Sequence, residues 1–299
     1  MQKKSSRIYS AAIIAAGSLW GLMGLFVRGI GEYGFNSMQI TCVRLVCGTV
    51  MLILFALIYD RRLFKVEPRD IPVFAAMGIF SVLLMSVLYF EAINEITMSA
   101  AAILLYTAPI WVLGASVLFY GEKLTLRKCA ALVIAFGGCI MVSGFSGGSV
   151  SVRGIICGFG SGFAYSLYSI IGKHALKKYS PITVTVYSFI FAAVGAVLMC
   201  SPSATAELIS QNICAPLVWK ILGVGFVSVF APYLLYTFGL SNTQAGAAAI
   251  MASAEPMTAT LAGLAVYKEI PDIWGFLGIA MILTAIVLLN LREKGRMQN

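Results

Sequence analysis

The feature that most constrains this chain is a series of apolar runs, each near the length of a membrane span, which follow one another with only short breaks along the whole sequence. A helix needs about 20 apolar residues to cross the hydrocarbon core of a bilayer. The runs fall at about 8 to 28, 36 to 59, 71 to 92, 97 to 119, 126 to 144, 154 to 174, 181 to 200, 217 to 240, 244 to 266 and 272 to 291. Ten spanning helices use up the 299 residues and leave no room for a separate soluble domain. Composition agrees, with 60% hydrophobic and 11% charged residues. A soluble domain carries roughly 25% charge, and this much apolar surface is stable only against lipid. The first run follows Lys3, Lys4 and Arg7 in the manner of a signal peptide. It is too long for one and lacks a small-x-small cleavage site before the next span, so it is read as the first helix.

The formal net charge is +9, which in a soluble chain would raise the question of nucleic acid. The positions of the charges decide against that. With the amino terminus in the cytoplasm, Lys3, Lys4, Arg7, Arg61, Arg62, Lys65, Arg69, Lys123, Arg127, Lys128, Lys173, Lys177, Lys178, Arg292, Lys294 and Arg296 fall inside. Only Arg28, Arg153, Lys220 and Lys268 fall outside, and Arg44 lies within a span. This is the positive-inside asymmetry of a multi-pass protein of the cell (cytoplasmic) membrane, with both termini cytoplasmic and an even number of spans. Its surroundings are the lipid bilayer and a small-molecule substrate, not nucleic acid. Cys42, Cys47, Cys129, Cys139, Cys157 and Cys200 lie in or at the ends of apolar stretches without CxxC spacing and read as small core residues. Cys200 and Cys214 share one aqueous loop, which leaves a disulfide between them open.

The segment SGFSGGSVSVR, residues 143–153, is rich in Gly and Ser and divides the chain into 1–148 and 149–299. Sliding one half over the other by 147 positions aligns Leu88-Tyr89 with Leu235-Tyr236, Ala100 to Ile103 with Ala247 to Ile250, Pro109 with Pro256, Tyr120 with Tyr267 and Glu122 with Glu269. That is an internal repeat. Five spans per copy is an odd number, so the second copy enters the membrane in the opposite sense. The expected fold is therefore all-α and integral to the membrane, ten transmembrane helices in two inverted five-helix repeats, the plan that secondary transporters use for alternating access.

The run LLYTAPIWVLGASVLFYGEKLT, with Pro109 mid-helix and Glu122 just past its end, is matched by SAEPMTATLAGLAVYKEI, with Pro256 and Glu269. Together with Trp20 in GSLWGLMGLF and Arg44 early in the second helix, these resemble the paired EamA domains of the drug/metabolite transporter superfamily over nearly the whole chain. The resemblance implies export or uptake of small organic metabolites, with helices one to four and six to nine around the pathway and five and ten peripheral. It does not name the substrate, because that family spans amino acids, nucleosides, cations and sugar phosphates.

Glu255 stands near the centre of the ninth span, where a charged carboxylate costs a few kcal/mol unless it is paired, hydrated or protonated. It is the proton-coupling candidate; binding a cationic group of the substrate and a structural role beside the Pro256 kink are the alternatives. Arg44, about two turns into the second span, needs a partner, for which Glu32, Glu91, Glu95, Glu255 and a substrate carboxylate are candidates. Pro109 and Pro256 free the carbonyls of Leu105 and Ala252 in mid-span, and such breaks survive where protein or cavity water satisfies them. Thr107 and Ser253 are placed to cap those carbonyls or to bind a ligand. Trp20, Tyr89, Tyr106, Trp111, Tyr165, Tyr168, Tyr233 and Tyr236 supply an aromatic lining suited to an organic solute. Gly17 and Gly21, and Gly154, Gly158 and Gly162, have the spacing of close helix packing. Glu122 and Glu269 read as helix-end or gate-loop contacts.

No GxxxxGK[ST] loop is present, and the lone His174 has neither metal-ligand neighbours nor an evident nucleophile. The reading is thus a transporter and not an enzyme, with no cofactor and no metal. The expected function is secondary active export of small polar or amphiphilic metabolites, amino-acid-like solutes among them, with a passive facilitator or channel as the alternative. Oligomeric state is left open.

Overall fold

The computed structural model of the chain describes residues 2–143 and 151–290, of which 2–6 by backbone alone. The boundary expected at 148/149, the side chains of Lys3 and Lys4, and Arg292, Lys294 and Arg296 lie outside the described residues. Among the described residues ten helices are long and apolar enough to cross a membrane: α1 (Arg7–Gly31), α2 (Ser37–Tyr59), α3 (Pro68–Glu95), α4 (Met98–Tyr120), α5 (Leu126–Ser143), α6 (Val152–Ala175), α7 (Pro181–Met199), α8 (Ala215–Ser241), α9 (Ala245–Tyr267) and α10 (Ile273–Asn290). There is no strand among the described residues. A short helix, Pro202–Asn212, precedes α8 and does not span.

Local chemistry sets many of the helix ends. Asn36 and Gln39 cap the start of α2 reciprocally, each side chain accepting the other's backbone N–H at 2.9 Å, and so satisfy two donors that a helix N-terminus leaves free. Thr97 caps α4 by accepting from the Ala100 amide, and Ser151 caps α6 by accepting from Gly154. Ser180 caps α7 ahead of Pro181, which sits in the first turn where its missing N–H costs nothing.

The contacts between halves obey a two-fold exchange. α1 packs on α8 and α9, and its counterpart α6 packs on α3 and α4; α2 packs on α8 as α7 packs on α3. The self-related pairs α2–α7 and α5–α10 pack on each other. In the last pair the backbones approach at Gly138 and Gly278, where a Cβ on either would lie 2.8 or 2.7 Å from the other's carbonyl oxygen. Small residues at a crossing let helices meet this closely where no water drives them together.

Helix ends sort onto two faces. One face gathers the ends of α2, α4, α6 and α8 with the starts of α3, α5, α7 and α9. Here Lys178 pairs with Glu67 and Asp70, each at 2.6 Å. Its charge holds the Glu67 carboxyl below the ordinary range, and the Asp70 and Glu67 carboxylates hold Lys178 above its own. The opposite face carries Lys220–Glu32, Arg153–Glu91 and Arg28–Glu269, all at 2.9 Å. The first face bears most of the basic residues and is called the basic face below.

The largest buried cluster lies toward the basic face, with Ile13, Leu52, Phe74, Met77, Val184, Phe189, Leu240 and Ala245 among its members. Two features of the backbone were not readable beforehand. α3 and α8 carry π-helical turns at Met77–Leu83 and Phe226–Phe230, overlapping when shifted by the repeat. The short helix Pro202–Asn212 fills what reads as loop. Cys200 and Cys214 are both free thiols.

Candidate functional site

A cavity of about 330 Å³ opens within the bundle. Its walls come from the halves of α1 to α4 nearer the opposite face, including Val27, Ile40, Phe90 and Ile93. Its floor at mid-span is made by Tyr165 of α6, Tyr233 of α8 and Glu255 of α9. Ser37 and Met98, the first residues of α2 and α4, also line it, so it leads from mid-span toward the opposite face.

The sequence-selected residues divide into four groups. Trp20, Arg44, Tyr89, Tyr106, Tyr165, Tyr233 and Glu255 share the cavity. Tyr168 and Tyr236 stand behind it in the packed core, where Tyr168 shares a hydrogen bond with Thr237 at 2.9 Å and Tyr236 one with Ser169 at 2.6 Å. Trp20 joins the two groups, its ring 5.0 Å from that of Tyr233 and 5.4 Å from that of Tyr236. Its indole N–H is already engaged by the Ser228 carbonyl at 3.2 Å, so it offers a wall and not a donor. Trp111 is exposed on the outside of the bundle, 41% accessible, with its edge on Phe163.

Thr107, Pro109, Ser253 and Pro256 form the backbone breaks that shape the cavity floor without lining it. α4 is helical over Met98–Leu105 and again over Ala108–Tyr120, and α9 over Ala245–Met251 and Ala254–Ala262. The Thr107 hydroxyl donates to the Leu104 carbonyl at 2.6 Å, which satisfies one group that the break loosens. Glycines of the other half seat each break. A Cβ on Gly162 of α6 would fall 2.7 Å from the Leu104 oxygen, and one on Gly17 of α1 2.7 Å from the Ala252 oxygen. Packing thus accounts for these glycines, and it also fixes where the floor residues stand.

Arg44 is the buried charge of α2, only 9% accessible. None of the carboxylates considered for it is within ion-pair distance. Glu32 is taken by Lys220, and Glu91 and Glu95 by Arg153. Arg44 instead donates to the Ser86 hydroxyl at 2.8 Å and points a second nitrogen at the Met23 sulfur, 3.7 Å away. Glu255 lies near Tyr165 and feels the charge of Arg44 without forming an ion pair with it. The site therefore holds one cation and one carboxylate on separate walls of an aromatic chamber.

Thr41, Ser86 and Met23 were missed by sequence reasoning. Thr41 is three residues before Arg44 and so on the same helical face, a signal that could have found it. Ser86 and Met23 belong to other helices, and nothing local marks them.

Beneath the cavity the helix ends of the basic face are tied together, and the surface pockets there, at Tyr120, Glu122, Lys173 and Gln244, share no residue with the cavity. Glu122 and Lys128 form an ion pair at 3.0 Å with both side chains under one-tenth exposed, and Glu122 also accepts the Ala245 amide at 2.9 Å. This ties the end of α4 to the starts of α5 and α9. Lys173, at the end of α6, donates to the carbonyls of Leu240 and Thr243 at 2.8 and 2.6 Å, and the Tyr120 hydroxyl donates to the Ile170 carbonyl.

Comparison with known proteins extends over this same architecture. The EamA-like transporter family matches residues 7–144 and 152–291. An uncharacterized transporter of Archaeoglobus fulgidus is 28% identical over 283 residues, covering 94% of this chain and 96% of its own. The uncharacterized transporter YdfC of Bacillus subtilis is 25% identical over 93% of this chain and 89% of its own. A solved crystal structure superposes with a TM-score of 0.76 at 16% identity, covering 94% of this chain and 95% of that one, a likeness of fold.

Proposed function

Since the chain belongs to the EamA-like transporter family, we propose that it is a secondary active transporter that exports small organic solutes by alternating access. Amino-acid-like and other polar or amphiphilic molecules are the class that suits the chamber. The observation that carries this reading is the contrast between the two faces: one cavity leads from mid-span to the opposite face, while contacts of Glu122, Lys128 and Lys173 tie the helix ends of the basic face together and the pockets there do not share the cavity lining. Two inverted halves that exchange these conformations would present the same floor to each side in turn.

The excess of Lys and Arg on the basic face supports a cytoplasmic location for it and for both termini, in the cell membrane. The cavity then faces outward, the side on which an exporter releases its load. Glu255, with Tyr165 beside it and Arg44 in electrostatic reach, is the group placed to exchange a proton with the transport cycle. Trp20, Tyr89, Tyr106 and Tyr165 form the walls that a solute would touch, and the breaks at Pro109 and Pro256 shape the path around it.

A counterflow screen of candidate metabolites in proteoliposomes tests this. The expected result is uptake of labelled solute driven uphill by the same solute trapped inside. Flux that neither a counter-solute nor a proton gradient drives uphill would make the protein a passive facilitator or channel, and ligand binding without movement would overturn transport altogether.

A further inference from the structure

We propose that Thr41 and Arg44, on one face of α2, form an anion subsite of the cavity, and that the molecule it takes carries a carboxylate on an apolar body. This rests on the transport reading above and adds the class of solute to it.

The Arg44 guanidinium has five N–H donors in a rigid fork. The protein engages it with one good acceptor, the Ser86 hydroxyl, and one weak one, the Met23 sulfur. Ser86 spends its own proton on the Val82 carbonyl at 3.0 Å, which leaves its oxygen turned to Arg44. The arginine is therefore held in place by a neutral neighbour while most of its donors have no acceptor in the protein. A buried cation without an anionic partner is costly, yet of the carboxylates within reach of this face of the bundle, Glu32, Glu91 and Glu95 are engaged elsewhere.

Thr41 supplies a second, independent sign. Its hydroxyl is buried and has no hydrogen-bond partner, with the residue only 1% accessible. It stands in the cavity wall one turn from Arg44, on the side toward the opening, and Ser37 continues the same face out to the mouth. A buried polar group left unpaired in a native structure calls for an explanation, and the Thr41 hydroxyl beside the open donors of Arg44, on one helical face of one cavity, points to a shared ligand group.

Carboxylate fits that group best. A guanidinium fork matches a planar carboxylate through two parallel hydrogen bonds. The titratable groups facing Arg44 from the other helices are Tyr89, Tyr106, Tyr165, Tyr233 and Glu255, so Arg44 is the one cation in the lining. A monoanion balances it, whereas a phosphate dianion would add a second negative charge near Glu255. Val27, Ile40, Phe90 and Ile93 give the body an apolar wall, and about 330 Å³ is at the small end of ligand pockets, the scale of a single-ring solute.

The test uses the purified full chain and three probes of one shape: 3-phenylpropionate, phenylalanine and 2-phenylethylamine. Their dissociation constants are read from thermal stabilisation at matched ionic strength. Both carboxylates are expected to stabilise the protein, with binding at least about tenfold weaker in Arg44→Lys and in Thr41→Val, and phenylethylamine is expected to bind equally to all three proteins or to none. If Arg44→Lys does not fold, the isosteric Thr41→Val still decides. Failure of both carboxylates to stabilise the wild type, or unchanged affinity in Thr41→Val, overturns the subsite. Carboxylate binding that needs Thr41 and Arg44, in a protein that shows no counterflow, would leave the subsite standing and overturn transport instead.

Discussion

α4 and α9 are copies of one design placed head to tail. Each starts with an Ala-rich stretch, breaks before a proline at matching positions, and ends on a left-handed residue, Gly121 with φ 60° and Lys268 with φ 59°. They differ in what stands beside the proline. Ala108 precedes Pro109 and is buried, whereas Glu255 precedes Pro256 and lines the cavity. The end of α4 is sealed by the buried Glu122–Lys128 pair, while its counterpart Glu269 is exposed and reaches Arg28. The repeat thus supplies two similar scaffolds, with the mid-span carboxylate laid on one and the buried ion pair on the other. The backbone differs at their ends, where α9 is π-helical over Gly263–Tyr267 and α4 stays α-helical to Tyr120.

The largest effect should come from breaking the scaffold itself. Gly21 lets α1 lie directly on the α9 break, where a Cβ would meet the Glu255 oxygen at 2.5 Å and the Ala259 nitrogen at 2.8 Å. These are backbone atoms that have no room to yield. We expect Gly21→Leu to cost roughly 3 kcal/mol or more through overpacking, read as a collapse of the thermal unfolding midpoint and of monodisperse yield. Gly24→Ala is the control on the same helix, since nothing lies within 4 Å of its Cβ position. It should not destabilise, and should raise stability by up to about 1 kcal/mol, because alanine restricts the unfolded chain.

A smaller effect on folding, but a decisive one on transport, should follow from erasing the asymmetry. Glu255→Gln keeps the shape of the floor and removes the only carboxylate in the lining. Flux in proteoliposomes should lose its dependence on an imposed pH gradient while counterflow persists. Coupling that survives in Glu255→Gln would show that the proton path lies elsewhere and that the difference between α4 and α9 is structural only.

The same comparison shows what was legible beforehand. Ten spans and their inversion could be read because hydropathy and the repeat are one-dimensional signals, and the structure supports both. Trp20, Tyr89, Tyr106, Tyr165 and Glu255 could be picked as aromatic or charged residues near mid-span. Depth and rotation about each helix could not. Trp111 follows Tyr106 across the break in α4 and stands on the outer surface, so its orientation could not be carried over from Tyr106 by helical periodicity. Tyr168 is one turn from Tyr165 toward the basic face and meets Thr237 in the core instead of the cavity. The π-helical turns in α3 and α8 carry no local signature; the one in α3 includes Gly78, where a Cβ would be 2.8 Å from the Ala192 nitrogen of α7. The Ser86 contact to Arg44 joins residues 42 positions apart and depends on how α2 and α3 cross.

The smallest effect belongs to the two caps. A left-handed backbone costs an L-residue roughly 1–2 kcal/mol relative to glycine, so Gly121 is relaxed where Lys268 is strained. The Lys268 side chain returns little, with only a 3.5 Å contact from its amine to the Ala265 carbonyl. Replacing Gly121 by Ala should therefore lower stability by about 1 kcal/mol. Lys268→Gly should raise it by only about 0.5 kcal/mol, because relief of strain is offset by the greater freedom that glycine gives the unfolded chain. Opposite shifts of the thermal midpoint in the two variants would establish that the αL turn itself ends both helices. Destabilisation by Lys268→Gly would show instead that the α9 end is held by the lysine side chain, and that the two ends differ in mechanism and not only in residue.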